Sequence, residues 1–168
     1  MALIVEQFMC RTDNFGVLIH DTATGLPAAI DAPEEAPIRA ALARRGWTLD
    51  EIIVTHHHGD HTEAIPPLKA DFSAVVTAPE AEAAKVPGVD KTVKEGDTIR
   101  LGAASINVIE TPGHTLGHVS YLIPSEKLAF VGDTLFSIGC GRIIEGPTAM
   151  MWNSLSRLAQ LPRDTAIY

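Results

Sequence analysis

The stretch Thr55-His56-His57-His58-Gly59-Asp60-His61 stands directly after a short apolar run, Glu51-Ile52-Ile53-Val54. Four of the seven histidines in the chain fall between positions 56 and 61. In extended backbone, residues i and i+2 point to the same side. His56 and His58 can therefore meet one metal ion while His57 points away. Gly59 allows a sharp turn, after which Asp60 and His61 can reach a neighbouring point. Two pairs of ligands are more than one tetrahedral ion readily uses, so the pattern predicts two adjacent cations.

Two later segments repeat the design. INVIE (106–110) runs into Thr111-Pro112-Gly113-His114, and LAFVG (128–132) runs into Asp133. Each is an apolar strand ending in a turn that presents a ligand. His together with Asp suits zinc, iron or manganese rather than calcium. A carboxylate such as Asp133 can bridge two ions, and two ions about 3.5–4 Å apart can lower the pKa of a water and stabilise an oxyanion. The competing reading of 55–61 as a solvated turn leaves Asp60-His61 and the two later turns without explanation. His118, four residues after His114, is expected to hydrogen-bond and orient the site. His20 reads as ordinary. Cys140 has no partner cysteine nearby, so a buried thiol is expected rather than a soft ligand. Met150-Met151-Trp152 reads as core. The glycine-rich segment 139–146 lacks the pattern and lysine of a phosphate loop.

Composition sets the frame around these motifs. With 168 residues, 46% of them hydrophobic and 20% charged, one folded domain with a substantial core is expected. Lys and Arg number 13 against 21 Asp and Glu, a formal charge of −8 with no basic cluster, so nucleic acid is not an expected partner. Cys10 and Cys140 form no disulfide framework and suit a reducing compartment. No apolar run approaches the ~20 residues needed to cross a bilayer. The segment MALIVEQFMC has an early Glu6 and no basic n-region, so it is not expected to be a signal peptide, and the cytoplasm is the expected location.

The pattern predicts strands at 3–8, 15–20, 28–31, 51–55, 74–78, near 97–101, and at 104–111. A hairpin is expected from 118–123 and 127–132, turning at Pro124-Ser125. Helices are predicted over 33–45, 62–71, 79–85 and 147–161, with Gly46 stopping the first and Met151, Leu155 and Leu158 on one face of the last. A strand-like TAIY (165–168) ends the sequence. Runs of strands rather than strict βαβ alternation predict an α+β chain with two packed sheets and outer helices.

The ordered set Thr-His-x-His-x-Asp-His (55–61), Thr-Pro-Gly-His (111–114) and Gly-Asp (132–133) resembles the metallo-β-lactamase superfamily. Within it, Asp13-Asn14-Phe15, TPGHTLGH (111–118) and GDTLFSIGCGRIIEG (132–146) look most like glyoxalase II, the hydroxyacylglutathione hydrolases. The resemblance implies a four-layer αββα sandwich with two divalent metals at one edge, zinc first and iron or manganese as alternatives. It implies His56, His58 and His114 on the first metal, Asp60 and His61 on the second, and Asp133 bridging. A bridging hydroxide would attack the thioester of S-D-lactoylglutathione and release D-lactate and glutathione, completing methylglyoxal removal. Arg142 matches a basic position that contacts glutathione, and a guanidinium suits the glycine carboxylate; a plain surface charge is the alternative. At Ile144, where the family often has an aromatic residue, no tyrosine hydroxyl is present.

In such enzymes the strand after the last helix leads into Gly-His-Glu-Tyr-Thr, whose His completes the second metal. Here TAIY reaches Tyr168 without that motif, and the helical C-terminal substrate domain of the family is absent. A truncated, monomeric metal-binding hydrolase domain over 1–168 is expected, with a weakened second site and a final strand prone to fray. Within enzymes the rivals are a mono-iron persulfide dioxygenase and a lactonase or esterase. From another class the rival is a non-catalytic metal-binding fragment. β-Lactam hydrolysis is the least attractive reading.

Overall fold

The computed structural model describes residues 3–168. Six strands form the first sheet: β1 (Leu3–Cys10), β2 (Asn14–Asp21), β3 (Pro27–Ile30), β4 (Glu51–Ile53), β5 (Val75–Pro79) and β6 (Lys91–Val93), side by side in that order. β1 to β3 are antiparallel neighbours, and β3 to β6 run parallel. The second sheet holds β7 (Thr98–Leu101), β8 (Ala104–Glu110), β9 (Val119–Ile123), β10 (Leu128–Phe130) and β11 (Ala166–Ile167), in the order β11-β10-β9-β8-β7.

Alternation along the strands decides which layer each side chain joins. In β2, Val17 and Ile19 face the second sheet, and Leu18 faces the opposite way. In β4, Ile53 enters the inter-sheet core while Ile52 packs outward. Ile106, Val108, Tyr121 and Phe130 fill the inter-sheet core from the second sheet. Fully burying a large apolar side chain contributes about 1.5–3 kcal/mol, so this layer supplies a large share of the stability. The outer face of the first sheet is covered by α1 (Glu35–Arg45) and α3 (Ile65–Phe72), through Ile38, Leu42, Ile65 and Leu68. The outer face of the second sheet is covered by α4 (Thr148–Leu158), where Leu158 meets Ala129 and Val131. The result is the expected αββα sandwich.

Two local expectations need correction. The predicted helix over 79–85 is not formed: Pro79 ends β5 and residues 80–85 form successive turns, the amide of Glu82 bonding Pro79 and that of Lys85 bonding Glu82. The Ala-rich composition favours a helix, but the Glu82 side chain is committed elsewhere. β6 was not predicted, because only Val93 of its three residues is buried. The final strand has a defined partner. It pairs in parallel with β10, the Tyr168 amide donates to the Ala129 carbonyl, and the Tyr168 ring stacks 5.5 Å from Phe130.

Candidate metal centre

The end of the sandwich where β4, β8 and β10 terminate collects the predicted residues. Residues following β4 carry Thr55 to His58, and the chain then coils into the one-turn α2 (Gly59–Thr62), which holds Asp60 and His61. The turn after β8 carries His114. Beyond β10 a 3-10 turn, Gly132–Thr134, presents Asp133. Gly132 is required there. Its φ is +47°, and a Cβ would stand 2.7 Å from His118 Nε2 and 2.8 Å from Thr55 Oγ1.

Three imidazole nitrogens converge. His58 Nδ1 lies 3.2 Å from His56 Nε2 and 2.9 Å from His114 Nε2. Two ligands of one tetrahedral ion at ~2.05 Å would stand ~3.3 Å apart, so the cluster has nearly the spacing a cation imposes. The far nitrogens explain why the inner ones are free. Thr55 donates its hydroxyl to Asp31 Oδ2 (2.7 Å), so its oxygen accepts from His56 Nδ1 (3.0 Å). His114 Nδ1 donates to the Arg142 carbonyl (2.7 Å), and His61 Nδ1 donates to Asp31 Oδ2 (2.8 Å). With those protons placed, the Nε2 atoms of His56 and His114 carry lone pairs toward the centre, and His61 Nε2 points the same way.

Asp133 divides its oxygens between two sides. Oδ1 is 3.1 Å from His61 Nε2, and Oδ2 is 3.2 Å from His114 Nε2. Asp60 Oδ2 lies 3.7 Å from His61 Nε2 and accepts from Asn14 Nδ2 at 3.1 Å. His61 Nε2 is buried and has no aligned hydrogen-bond partner, despite its nearness to Asp133. An orphaned buried nitrogen beside two carboxylates, next to a cluster of imidazole lone pairs, fits divalent cations. The groups His56/His58/His114 and Asp31/His56/His61 can each gather three donor atoms. Asp31 is spent in the second group, because Thr55 and His61 occupy both its oxygens.

Without a metal, the electrostatics divide the histidines. Burial, and then the neighbouring imidazoles, push His56 far below the ordinary histidine range and keep it neutral. His58 is lowered for the same reasons. His118 is brought down to about 3 by burial and by the charge of His61. His61 goes the other way. Burial opposes its charge, but Asp31 and Asp133 raise it to about 10. Burial opposes the charge of Asp133 as well, yet the adjacent His61 leaves it lowered.

His118 takes the orienting place expected of it. The Asp133 amide donates to its Nε2 (3.1 Å), leaving Nδ1 to donate to Thr111 Oγ1 (3.0 Å). His57 points away, against Glu82. Arg142 touches the centre through its carbonyl, and its side chain is exposed. Cys140 is only half-buried, contrary to the expected buried thiol. Met151 is core, but Trp152 is 68% exposed. His20 stacks on Trp47 at 4.5 Å.

Sequence reasoning missed Asp31 and Glu82. Asp31 had a signal: like Asp133, it ends an apolar strand. It sits at φ +59°, a strained setting for a residue other than glycine and a common mark of a working position. Glu82 gave no signal, being one acid in the run Ala81-Glu82-Ala83-Ala84.

Residues 11–168 match the Metallo-beta-lactamase superfamily, and the chain belongs to that superfamily. Within it, a hydroxyacylglutathione hydrolase of Mesorhizobium japonicum is 57% identical over all 168 residues. The chain spans 66% of that relative's length. Among solved structures, ETHE1 from Myxococcus xanthus superposes with a TM-score of 0.87 at 31% identity, over 98% of this chain and 74% of that one. TTHA1623, solved in a di-iron-bound form, gives 0.80 at 26% identity, over 92% and 85% of the two chains.

Proposed function

We propose that this chain is the metal-binding domain of a thioester hydrolase acting on S-D-lactoylglutathione or a similar hydroxyacylglutathione. The observation that carries the reading is the inward convergence of His56, His58 and His114 beside Asp60, His61 and Asp133. The name of the Mesorhizobium relative supports the substrate class. His56, His58 and His114 would hold one divalent ion, Asp60 and His61 a second, and Asp133 would reach both through separate oxygens. Zinc is the first choice and iron a close second, as in the di-iron form of TTHA1623. When bound, the ions lower the pKa of water and polarise a carbonyl.

The protein's own groups prepare that chemistry. Asp31 and the Arg142 carbonyl hold His61 and His114 as single tautomers. Asn14 fixes Asp60, and His118 fixes the Asp133 backbone. Arg142 is the candidate for a substrate carboxylate. In the net reaction a water oxygen bonds to the acyl carbon and the C–S bond breaks, giving a hydroxy acid and glutathione thiol. Both cysteines are free thiols, which suits a cytoplasmic setting.

The test is hydrolysis of S-D-lactoylglutathione by the zinc-reconstituted chain, with His58→Ala as control. Turnover that falls at least ~1000-fold in the control supports the reading. A folded, metal-bound chain without turnover contradicts it and favours a binding module. Oxygen uptake on glutathione persulfide by the iron form would favour the dioxygenase instead.

A further inference from the structure

Glu82 is a buried carboxylate that meets the segments carrying the tri-imidazole cluster from behind, through His57 and Gly117. Its side chain is 2% exposed, and it reaches the site from the turns after β5. Oε2 accepts the His57 amide at 3.1 Å and contacts His57 Nδ1, while Oε1 accepts the Gly117 amide at 2.8 Å. His57 lies between His56 and His58, and Gly117 is three residues past His114. One carboxylate therefore ties the two segments whose imidazoles approach to 2.9 Å. The approach is close enough to demand glycine: a Cβ on Gly117 would stand 2.7 Å from Glu82 Oε1. Glu145 adds a second tie, accepting the Leu116 amide at 2.8 Å and lying 3.8 Å from His57 Nε2.

We propose that Glu82 is a positioning residue for the tri-imidazole site, setting the spacing of His58 and His114 by clamping the His57 and Gly117 amides with one buried carboxylate. The proposal rests on the metal-binding reading above. Two N–H donors need two acceptor oxygens. In Glu82→Gln one amide would face an NH2 group, and one leg of the clamp would open.

The test is competition titration with a chromophoric chelator, using zinc for affinity and cobalt(II) for its visible spectrum. Asp21→Asn is the control, because Asp21 is an equally buried carboxylate at the opposite end of the sandwich. Glu82→Gln should weaken the tightest ion 10–100-fold and alter the cobalt spectrum. Glu82→Asp, with both oxygens kept, should recover part of the loss. Asp21→Asn should lower Tm and leave affinity within twofold. If Glu82→Gln does not fold, Gly117→Ala displaces the same carboxylate and should give the same loss. A folded Glu82→Gln or Gly117→Ala that binds zinc within twofold of wild type, with an unchanged cobalt spectrum, overturns the proposal alone. A wild-type chain that binds neither ion overturns the metal reading and the proposal with it.

Discussion

The two ends of the sandwich use buried carboxylates in opposite ways. At the end away from the histidines, Asp21 closes β2 and ties the sheets together. Its Oδ2 accepts the Thr24 hydroxyl at 2.6 Å and the Ala103 amide at 2.9 Å, and its Oδ1 accepts the Ala23 amide at 3.2 Å. The Asp21 carboxylate is fully matched by those donors. At the histidine end, Asp31 and Glu82 are equally well served by amides and a hydroxyl. The Asp31 bonds, however, turn the Nε2 atoms of His56 and His61 inward, where Asp133 adds negative charge. A surplus of acceptors in a buried space calls for a cation. Balanced polar burial marks structure, and unbalanced polar burial marks a binding site.

That contrast predicts effects of decreasing size. The largest is on turnover: Asp133→Ala should cost at least ~1000-fold in kcat while the metal-free fold persists, because the inter-sheet core lies elsewhere. Next is metal removal. At a metal concentration near 1,000 times Kd, binding adds about 4 kcal/mol, so a chelator should lower Tm on the order of 10 °C in a scanning calorimeter. If the chelator leaves Tm unchanged, the site is balanced without a cation.

Asp21→Ala should follow, costing about 3 kcal/mol in urea titration, because it strands the Ala103 amide and the Thr24 hydroxyl. Its pH dependence has a definite sign. The Thr24 hydroxyl and the Ala103 amide hold the Asp21 carboxyl below its ordinary 3.8, so the unfolded chain takes up the proton first on acidification. The stabilisation is complete above about pH 4 and drains away as pH falls through the folded value. Asp21→Asn should lack that acid step. A smaller effect belongs to Glu51, whose carboxyl is raised chiefly by burial. The folded state then binds more protons than the unfolded one, and stability falls as pH rises through the ordinary carboxylate range. Glu51→Gln should therefore raise Tm slightly at pH 7, on the order of 1 °C, with no gain at pH 4. Thiol labelling gives the mildest check. Half-buried Cys140 should react at pH 8, while buried Cys10, pushed up to about 11 by burial, should wait for unfolding.

The sequence exposes the site's inner groups more clearly than their supports. His56 and His58 at i and i+2, and single ligands at strand ends, follow from strand periodicity and turn chemistry, which are local. The two packed sheets are legible from the runs of strands, and the structure divides Val17 and Ile19 from Leu18, and Ile53 from Ile52, between the two cores. The supports are set by contacts across the fold. Asp31 is 24 residues from Thr55 and 30 from His61. Glu82 is 35 residues from Gly117. No local pattern distinguishes it from a solvated acid on a short helix, which is how the 79–85 segment is misread. The same gap hid β6, placed by its pairing with β5 rather than by its own burial.

The most direct measurement is anomalous scattering from crystals of the zinc-loaded chain. One peak is expected about 2.0–2.1 Å from His56 Nε2, His58 Nδ1 and His114 Nε2, with Asp133 between it and a second peak beside Asp60 and His61. Zinc bound only at other side chains, or no zinc in a chain whose histidines keep these positions, would contradict the account.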